Sequence, residues 1–215
     1  DIGMQPYYEM LKVAERFHKG VLIHPSDPPV RQGEILASLR RGDVYCHVFQ
    51  GKGHTILEDG KLVPELLEAR RRGVIFDIAH GAANFNFDIA EQALALGFAP
   101  DMISTDTTKK TWNKQPVCSL PYVMSKFLYL GMPLEEVIRC VTQTPARALN
   151  MEGKIGTLAP GAYGDVTLLR LDEGDYTFRD AQGNTRQGEK LLVPIATFAN
   201  GLMVYQDPVF TAMQE

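Results

Sequence analysis

The sequence predicts an α/β protein in which short parallel strands alternate with helices. Four apolar stretches rich in β-branched or aromatic residues have the length of buried strands, and each is followed by a helical pattern. The chain has 215 residues, of which 45% are hydrophobic and 22% are charged, as is typical of a globular protein. Strands that alternate with helices in this way are typical of parallel βαβ units.

The first part of the chain contains most of the predicted elements. The predicted strands are residues 21–23, 44–46, 74–78 and 102–104. Apolar residues at helical spacing predict helices near residues 63–72, 88–96, 122–130 and 134–142. A short helix is also predicted to begin at Pro145, with Thr144 as its N-cap.

The pattern changes near Asn150, where glycine and turn residues become frequent and strands replace helices. Residues 164–171 predict a strand, and the sequences at 182–184 and 200–201 are typical of hairpin turns. Residues 195–198 are expected to pair with residues 202–205. We therefore expect two domains, residues 1–149 and residues 150–215.

Composition excludes several classes of function. The 26 acidic residues outnumber the 22 basic residues, which argues against a nucleic-acid partner. Apolar runs are much shorter than the roughly 20 residues that cross a bilayer, so no membrane association is expected.

The three cysteines are widely spaced and odd in number, which suits a reducing cytoplasm. The chain begins at Asp1, so a processed chain or a fragment is expected.

The most informative residues follow the four predicted strands. His24 and His47 directly follow the first two strands, and His80 and Asp106 stand two residues after the other two, so the four are separated by 23, 33 and 26 positions. In a parallel barrel the carboxyl ends of the strands share one face, where active sites are built. Imidazole and carboxylate ligands together suit Zn²⁺, and Fe or Mn less well.

Each of these residues also has a structural interpretation. A single strand-end histidine is more commonly a hydrogen-bonded structural residue, and Asp106 could cap the next helix. The repetition at four successive βα units favours function. His18, in a helical stretch, and His54, in a polar loop, follow no strand and are expected to be surface residues.

The motifs around these residues resemble the amidohydrolase superfamily. The resemblance rests on Val-Leu-Ile-His-Pro at His24, Cys-His-Val-Phe-Gln-Gly-Lys at His47 and Ile-Ser-Thr-Asp at Asp106. Residues 141–149 and 156–165 resemble the superfamily's exit from its barrel into a β-sandwich. Within the superfamily, Phe-Asp-Ile-Ala-His-Gly at 76–81 and Met-Ser-Lys-Phe-Leu at 124–128 resemble dihydroorotase-like and deacetylase-like metallohydrolases.

The resemblance covers nearly the whole chain and implies both a fold and a chemistry. It implies the C-terminal half of a (β/α)₈ barrel followed by part of a small β-sandwich. It also implies hydrolysis of an amide or ester bond in a small molecule, with two divalent ions, expected to be Zn²⁺, bridged by a hydroxide.

The same resemblance assigns roles to three residues, and position along the chain suggests roles for two more. His24 and His47 would bind one metal, and Asp106 would touch the other metal while acting as general base and acid. From its place one strand earlier, His80 is expected either to hydrogen-bond the substrate or the tetrahedral oxyanion, or to support a metal-binding side chain without touching the metal. Asn84, four residues further on, is expected to line the same pocket. A metal-dependent deaminase and a non-catalytic relative used for binding or assembly remain alternatives.

Two features of the resembled superfamily are missing from this sequence. No His-x-His pair occurs, and no lysine stands where the superfamily's carboxylated, metal-bridging lysine would be. The chain is therefore expected to be the C-terminal part of a longer enzyme. Because a half-barrel has open edges, we expect either an N-terminal segment or a second copy of the chain to close it.

Overall fold

The computed structural model describes residues 3–208 as a mixed α/β protein with two compact units. The first unit runs to Asp106 and also takes in the short segment Asp180–Asn184. The second unit holds Thr107–Arg179 and continues from Thr185. Among residues 3–208, no helix combines the length and apolar character that a membrane crossing requires.

Four helices and five short strands make up the first unit. In chain order they are α1 Gln5–Arg16, β1 Leu22–Ile23, α2 Gln32–Ser38, β2 Val44–Tyr45, β3 Leu57–Glu58, β4 Lys61–Leu62, α3 Pro64–Arg72, β5 Ile75–Phe76 and α4 Phe87–Ala95. A helical pattern was predicted after β1, where α2 lies, but without bounds, and the antiparallel β3–β4 hairpin was not predicted.

The parallel sheet of the first unit has the order β1-β2-β5, with β2 pairing in parallel with both neighbours. The predicted strands at 21–23, 44–46 and 74–78 are confirmed, although each is only two residues long. The stretch at 102–104 forms a parallel bridge between Met102 and Asp77 rather than a longer strand. All the carboxyl ends of these strands therefore lie at the same edge, as the sequence predicted.

Local sequence explains where the helices of this unit begin and end. Pro64 occupies the first turn of α3, where a backbone N–H would have no acceptor within the helix. Gly73 ends the helix in a left-handed conformation. The side chain of Asn86 caps α4 by accepting a hydrogen bond from the N–H of Ile89. The core between sheet and helices includes side chains with almost no exposure, such as those of Tyr45, Phe76, Leu36, Leu66 and Phe98.

The second unit combines three helices with an antiparallel sheet. Its elements are α5 Leu120–Tyr129, α6 Leu134–Val141, α7 Gln143–Ala148, β6 Val166–Arg179, β7 Thr185–Ala199 and β8 Leu202–Gln206. The sheet order is β6-β7-β8, and the predicted pairing of 195–198 with 202–205 is confirmed by the β7–β8 register. Strand β6 extends eight residues beyond the predicted end at residue 171.

The predicted start of the short helix is wrong by two residues. Helix α7 begins at Gln143, and Thr142 rather than Thr144 is its N-cap residue, without a side-chain capping bond. The hydroxyl of Thr142 instead donates to the carbonyl of Ile138 in the preceding helix. Pro145 is tolerated as the third helical residue because the first N–H groups of a helix have no intrahelical partner.

The change from helices to strands falls where the sequence placed it, since α7 ends at Ala148 and β6 is the next element. The compact units divide elsewhere, after Asp106, because α5, α6 and α7 group with the antiparallel sheet. The assignment of domains to residues 1–149 and 150–215 stays a prediction.

Candidate metal centre and active site

Three of the predicted site residues meet at the carboxyl edge of the parallel sheet. His24 follows β1, His47 lies two residues after β2, and Asp106 follows the extended segment that bridges to β5. One nitrogen or oxygen ligand atom from each of the three lies within 4.8 Å of the other two. His24 and Asp106 are exposed, whereas His47 is buried. The cluster therefore opens to solvent on one side.

A hydrogen bond defines the protonation of His47. Its Nδ1 lies 2.6 Å from the carbonyl oxygen of Ala79, and because a carbonyl can only accept, Nδ1 carries the proton. Burial, followed by the neighbouring His24, lowers the pKa of His47, and this favours the neutral ring. The remaining nitrogen, Nε2, then carries the lone pair, which is what a metal ligand needs.

Asn84 lies beside the same histidine. Its Nδ2 is 3.4 Å from Nε2 of His47, and its carbonyl oxygen accepts a hydrogen bond from the hydroxyl of Ser26. The Ser26 contact orients the amide so that its NH₂ group points at the lone pair of His47. Asn84 thus lies next to His47, and its role in lining a substrate pocket stays a prediction.

His80 lies in a different environment. Its side chain is fully buried, and its ring stacks on Phe85 with centroids 4.6 Å apart. Its Nδ1 also lies 2.9 Å from the carbonyl oxygen of Gly81. His80 does not belong to the cluster of His24, His47 and Asp106, and its contact with substrate stays a prediction.

Strained backbone surrounds the cluster. His47, Ala79 and Asp106 have φ values of 57°, 34° and 46°, in the left-handed region that side chains usually avoid. Such conformations cost about 1–3 kcal/mol each and accumulate at functional sites. Gly81, with φ of 55°, approaches the cluster so closely that a Cβ there would lie 2.6 Å from Oδ2 of Asp106.

Sequence reasoning missed the residues that support the cluster. Asp77 is 6% exposed, and burial raises its pKa, while its carboxylate accepts hydrogen bonds from Ser104 and Ala79. The signal was a charged residue inside an otherwise apolar strand pattern, Val-Ile-Phe-Asp-Ile. His18 and His54 are exposed and lie outside the cluster, consistent with their interpretation as surface residues.

The chemistry of the cluster fits a metal ion. Two imidazole nitrogens and one carboxylate oxygen form a common donor set for catalytic zinc. Ligand atoms of one tetrahedral Zn²⁺ lie about 3.4 Å apart. The ligand atoms of the cluster lie within 4.8 Å of one another, so small side-chain movements would bring them to the distances that one ion requires. The same spacing also suits ligands divided between two ions about 3.5–4 Å apart.

The fold and the cluster define an α/β protein with a candidate metal centre at the carboxyl ends of parallel strands. The Amidohydrolase family matches this chain over residues 8–204, and the chain belongs to that family. The resemblance inferred from the sequence is thereby confirmed.

Curated relatives at this level of similarity are named deacetylases. A deacetylase of Enterococcus faecalis is 34% identical over 205 residues, which are 94% of this chain and 55% of the relative. A deacetylase of Agrobacterium fabrum is 35% identical over 195 residues, which are 89% of this chain and 47% of the relative. The chain thus spans about half the length of the curated relatives it matches.

Solved structures agree with this assignment. A crystal structure of an adenine deaminase superposes with a TM-score of 0.89 at 33% identity, covering 96% of this chain and 56% of that one. A crystal structure of a dihydroorotase gives a TM-score of 0.83 at 32% identity, covering 95% of this chain and 53% of that one.

Proposed function

We propose that the protein is a metal-dependent hydrolase that cleaves a C–N bond in a small molecule, as a deacetylase or a cyclic amidase does, or cleaves the related ester bond. The observation that carries this proposal is the cluster of His24, His47 and Asp106 at the carboxyl edge of the sheet. Family membership and the deacetylase names of two relatives support it.

The proposed metal is Zn²⁺, with two ions in the complete active site. His24 and His47 would hold one ion through nitrogen lone pairs, and the carboxylate of Asp106 would contact the other. Bound zinc lowers the pKa of water towards neutrality and polarises a carbonyl oxygen. The buried, neutral state of His47 favours this role, because a protonated imidazole cannot be a ligand.

Asp106 is the proposed proton carrier. Its carboxylate would take a proton from the attacking water and then return it to the departing nitrogen, as a general base and acid does. Its exposure lets a substrate approach the carboxylate. Asn84, whose amide oxygen accepts a hydrogen bond from Ser26, would line the substrate pocket, and the proposed role of His80 is to hydrogen-bond the substrate or the oxyanion.

The proposed architecture is the second half of a (β/α)₈ barrel followed by part of a β-sandwich. Within the described residues β1 pairs only with β2, which leaves one side of β1 free to pair. We propose that an N-terminal segment or a second copy of the chain occupies this side. The three free cysteines support a cytoplasmic location.

Deamination is the second candidate, favoured by the similarity to the adenine deaminase structure. Both reactions use water to break a C–N bond, so the choice depends on the substrate.

A non-catalytic binding module is the third candidate function. Two measurements distinguish the three candidate functions. The first is the zinc content of the full-length protein, and the second is its turnover of a panel of N-acetylated amino acids, cyclic ureides, small esters and adenine. Absence of both zinc and turnover would contradict the hydrolase proposal.

Replacing Asp106 with Asn tests its role directly. We expect Asp106→Asn to retain zinc and to lower kcat about 10²–10⁴-fold, because an amide cannot carry the proton. Asp59→Asn is a matched control, since Asp59 is exposed, lies in the β3–β4 turn and has a similar φ of 49°. Equal kcat values for the two variants would contradict the assignment.

A further inference from the structure

The segment Asp77–Gly81 connects β5 to the cluster, and the mechanism above leaves most of it without a role. Asp77 is 6% exposed and directly follows β5. Its Oδ1 accepts a hydrogen bond of 3.2 Å from the N–H of Ala79, and its Oδ2 accepts one of 2.7 Å from the hydroxyl of Ser104. Both carboxylate oxygens are therefore engaged by neighbouring backbone or side chain.

The contact with Ala79 holds an unfavourable backbone conformation. Ala79 has a φ of 34°, which an L-residue adopts at a cost of about 1–3 kcal/mol. A hydrogen bond from the Ala79 N–H to the Asp77 side chain offsets part of that cost, because a buried N–H without an acceptor would be unfavourable. Asp77 thus stabilises a tight turn at the carboxyl end of β5.

The turn matters because of where it directs the carbonyl of Ala79. That carbonyl accepts the Nδ1–H of His47 at 2.6 Å. A neutral imidazole has one N–H, so fixing the proton on Nδ1 leaves the lone pair on Nε2. Nε2 is the nitrogen that lies 3.4 Å from the amide of Asn84.

We propose that Asp77 is a positioning residue which, through the left-handed turn at Ala79, fixes the tautomer and ring orientation of His47. The chain of contacts runs from the Ser104 hydroxyl to the Asp77 carboxylate, the Ala79 backbone and the His47 ring. Partners of this kind set the geometry of metal ligands in proteins. The consequence for metal affinity rests on the proposed metal function, whereas the consequence for the tautomer does not.

Two substitutions of Asp77 distinguish the effect of its hydrogen bonds from the effect of its side-chain volume. Asp77→Asn keeps an oxygen that accepts from Ala79 and gains an NH₂ that donates to Ser104, so it is expected to behave like the wild type. Asp77→Leu has a similar shape but no acceptor. Asp43 is the matched control, because it is 1% exposed, accepts the backbone N–H of Val21 and precedes β2 at the opposite edge of the sheet.

The first readout is the tautomer of His47 in the full-length, metal-free protein, measured by long-range ¹H–¹⁵N NMR and assigned with a His47→Gln variant. We expect the Nδ1–H tautomer in the wild type and in Asp77→Asn, and a mixture of tautomers in Asp77→Leu. Asp43→Leu should lower stability without changing the tautomer. A role for Asp77 in stability alone would leave the tautomer unchanged in all variants.

The second readout is zinc affinity by competition with a chelator. We expect Asp77→Leu to bind zinc about 10–100-fold more weakly and Asp77→Asn to differ only slightly from the wild type. A folded Asp77→Leu with wild-type tautomer and affinity would overturn the proposal. An Nε2–H tautomer in the wild type would overturn it even if Asp77→Leu does not fold. A tautomer change in a protein that binds no zinc would instead contradict the proposed metal function alone.

Discussion

Replacing Gly81 with Ala tests how tightly the cluster is packed. A Cβ at Gly81 would lie 2.6 Å from Oδ2 of Asp106, whereas ordinary contact begins at 3.4 Å. The carboxylate oxygen must therefore retreat by about 0.8 Å, and it can do so because it ends an exposed side chain. We expect the fold to survive and the position of Asp106 to change.

The expected magnitudes differ for stability and for catalysis. Alanine in the left-handed region costs about 1–2 kcal/mol, which lowers Tm by about 2–8 °C in a protein of this size. A misplacement of about 1 Å at a catalytic group can cost about 10²-fold in rate, or about 2.7 kcal/mol of transition-state stabilisation. The free-energy loss calculated from kcat/KM should therefore be larger than the loss of folding stability calculated from Tm.

Gly97 provides the control for backbone strain. It follows α4 with a φ of 81°, and a Cβ there would meet nothing within 4 Å. Gly97→Ala should lower Tm by a similar amount and leave kcat/KM unchanged. The assay is hydrolysis of the best substrate in the panel, together with Tm for both variants. If Gly81→Ala retains kcat/KM within about threefold of Gly97→Ala, the reasoning from the close approach is refuted.

Three further predictions follow from other contacts. His47→Ala should lower the zinc content of the purified protein, whereas His54→Ala, outside the cluster, should not; full zinc in the first variant would remove His47 from the ligand set. Burial raises the pKa of Cys46 to about 12, so only about one thiol in 10⁴ is ionised at pH 8, and alkylation should be fast only after unfolding. Asp180 is 1% exposed and accepts the N–H of Phe87, so Asp180→Ala should destabilise the protein by about 2–3 kcal/mol and lower Tm by about 4–12 °C; an unchanged Tm would contradict this.

The strand-end pattern was the part of the site that sequence could supply. Strand positions follow from short apolar runs, and the residue after each run is known once the run is found. Because parallel strands end at one edge, His24, His47 and Asp106 could be grouped from the order of residues along the chain. The same reasoning also placed His80 with them, yet the structure buries its ring against Phe85.

Contacts between distant segments could not be predicted in this way. The tip of the β6–β7 hairpin, Asp180–Asn184, belongs to the first unit, where Asp180 accepts the N–H of Phe87 and Gln182 accepts from Asn86. No periodicity links residues that are more than 90 positions apart. Only the folded chain brings these polar groups together, and once they are buried they must find partners.

The sequence by itself determined the alternation of strands and helices, the family and the three residues of the cluster. Those properties depend on local hydrophobic patterns and motifs, which persist in the unfolded chain. The tertiary structure decided which nitrogen of His47 carries the proton, how close Gly81 comes to Asp106 and which groups donate hydrogen bonds to the buried carboxylate of Asp77. These depend on distances of a few ångströms between separate strands, and such distances exist only after the sheet has formed.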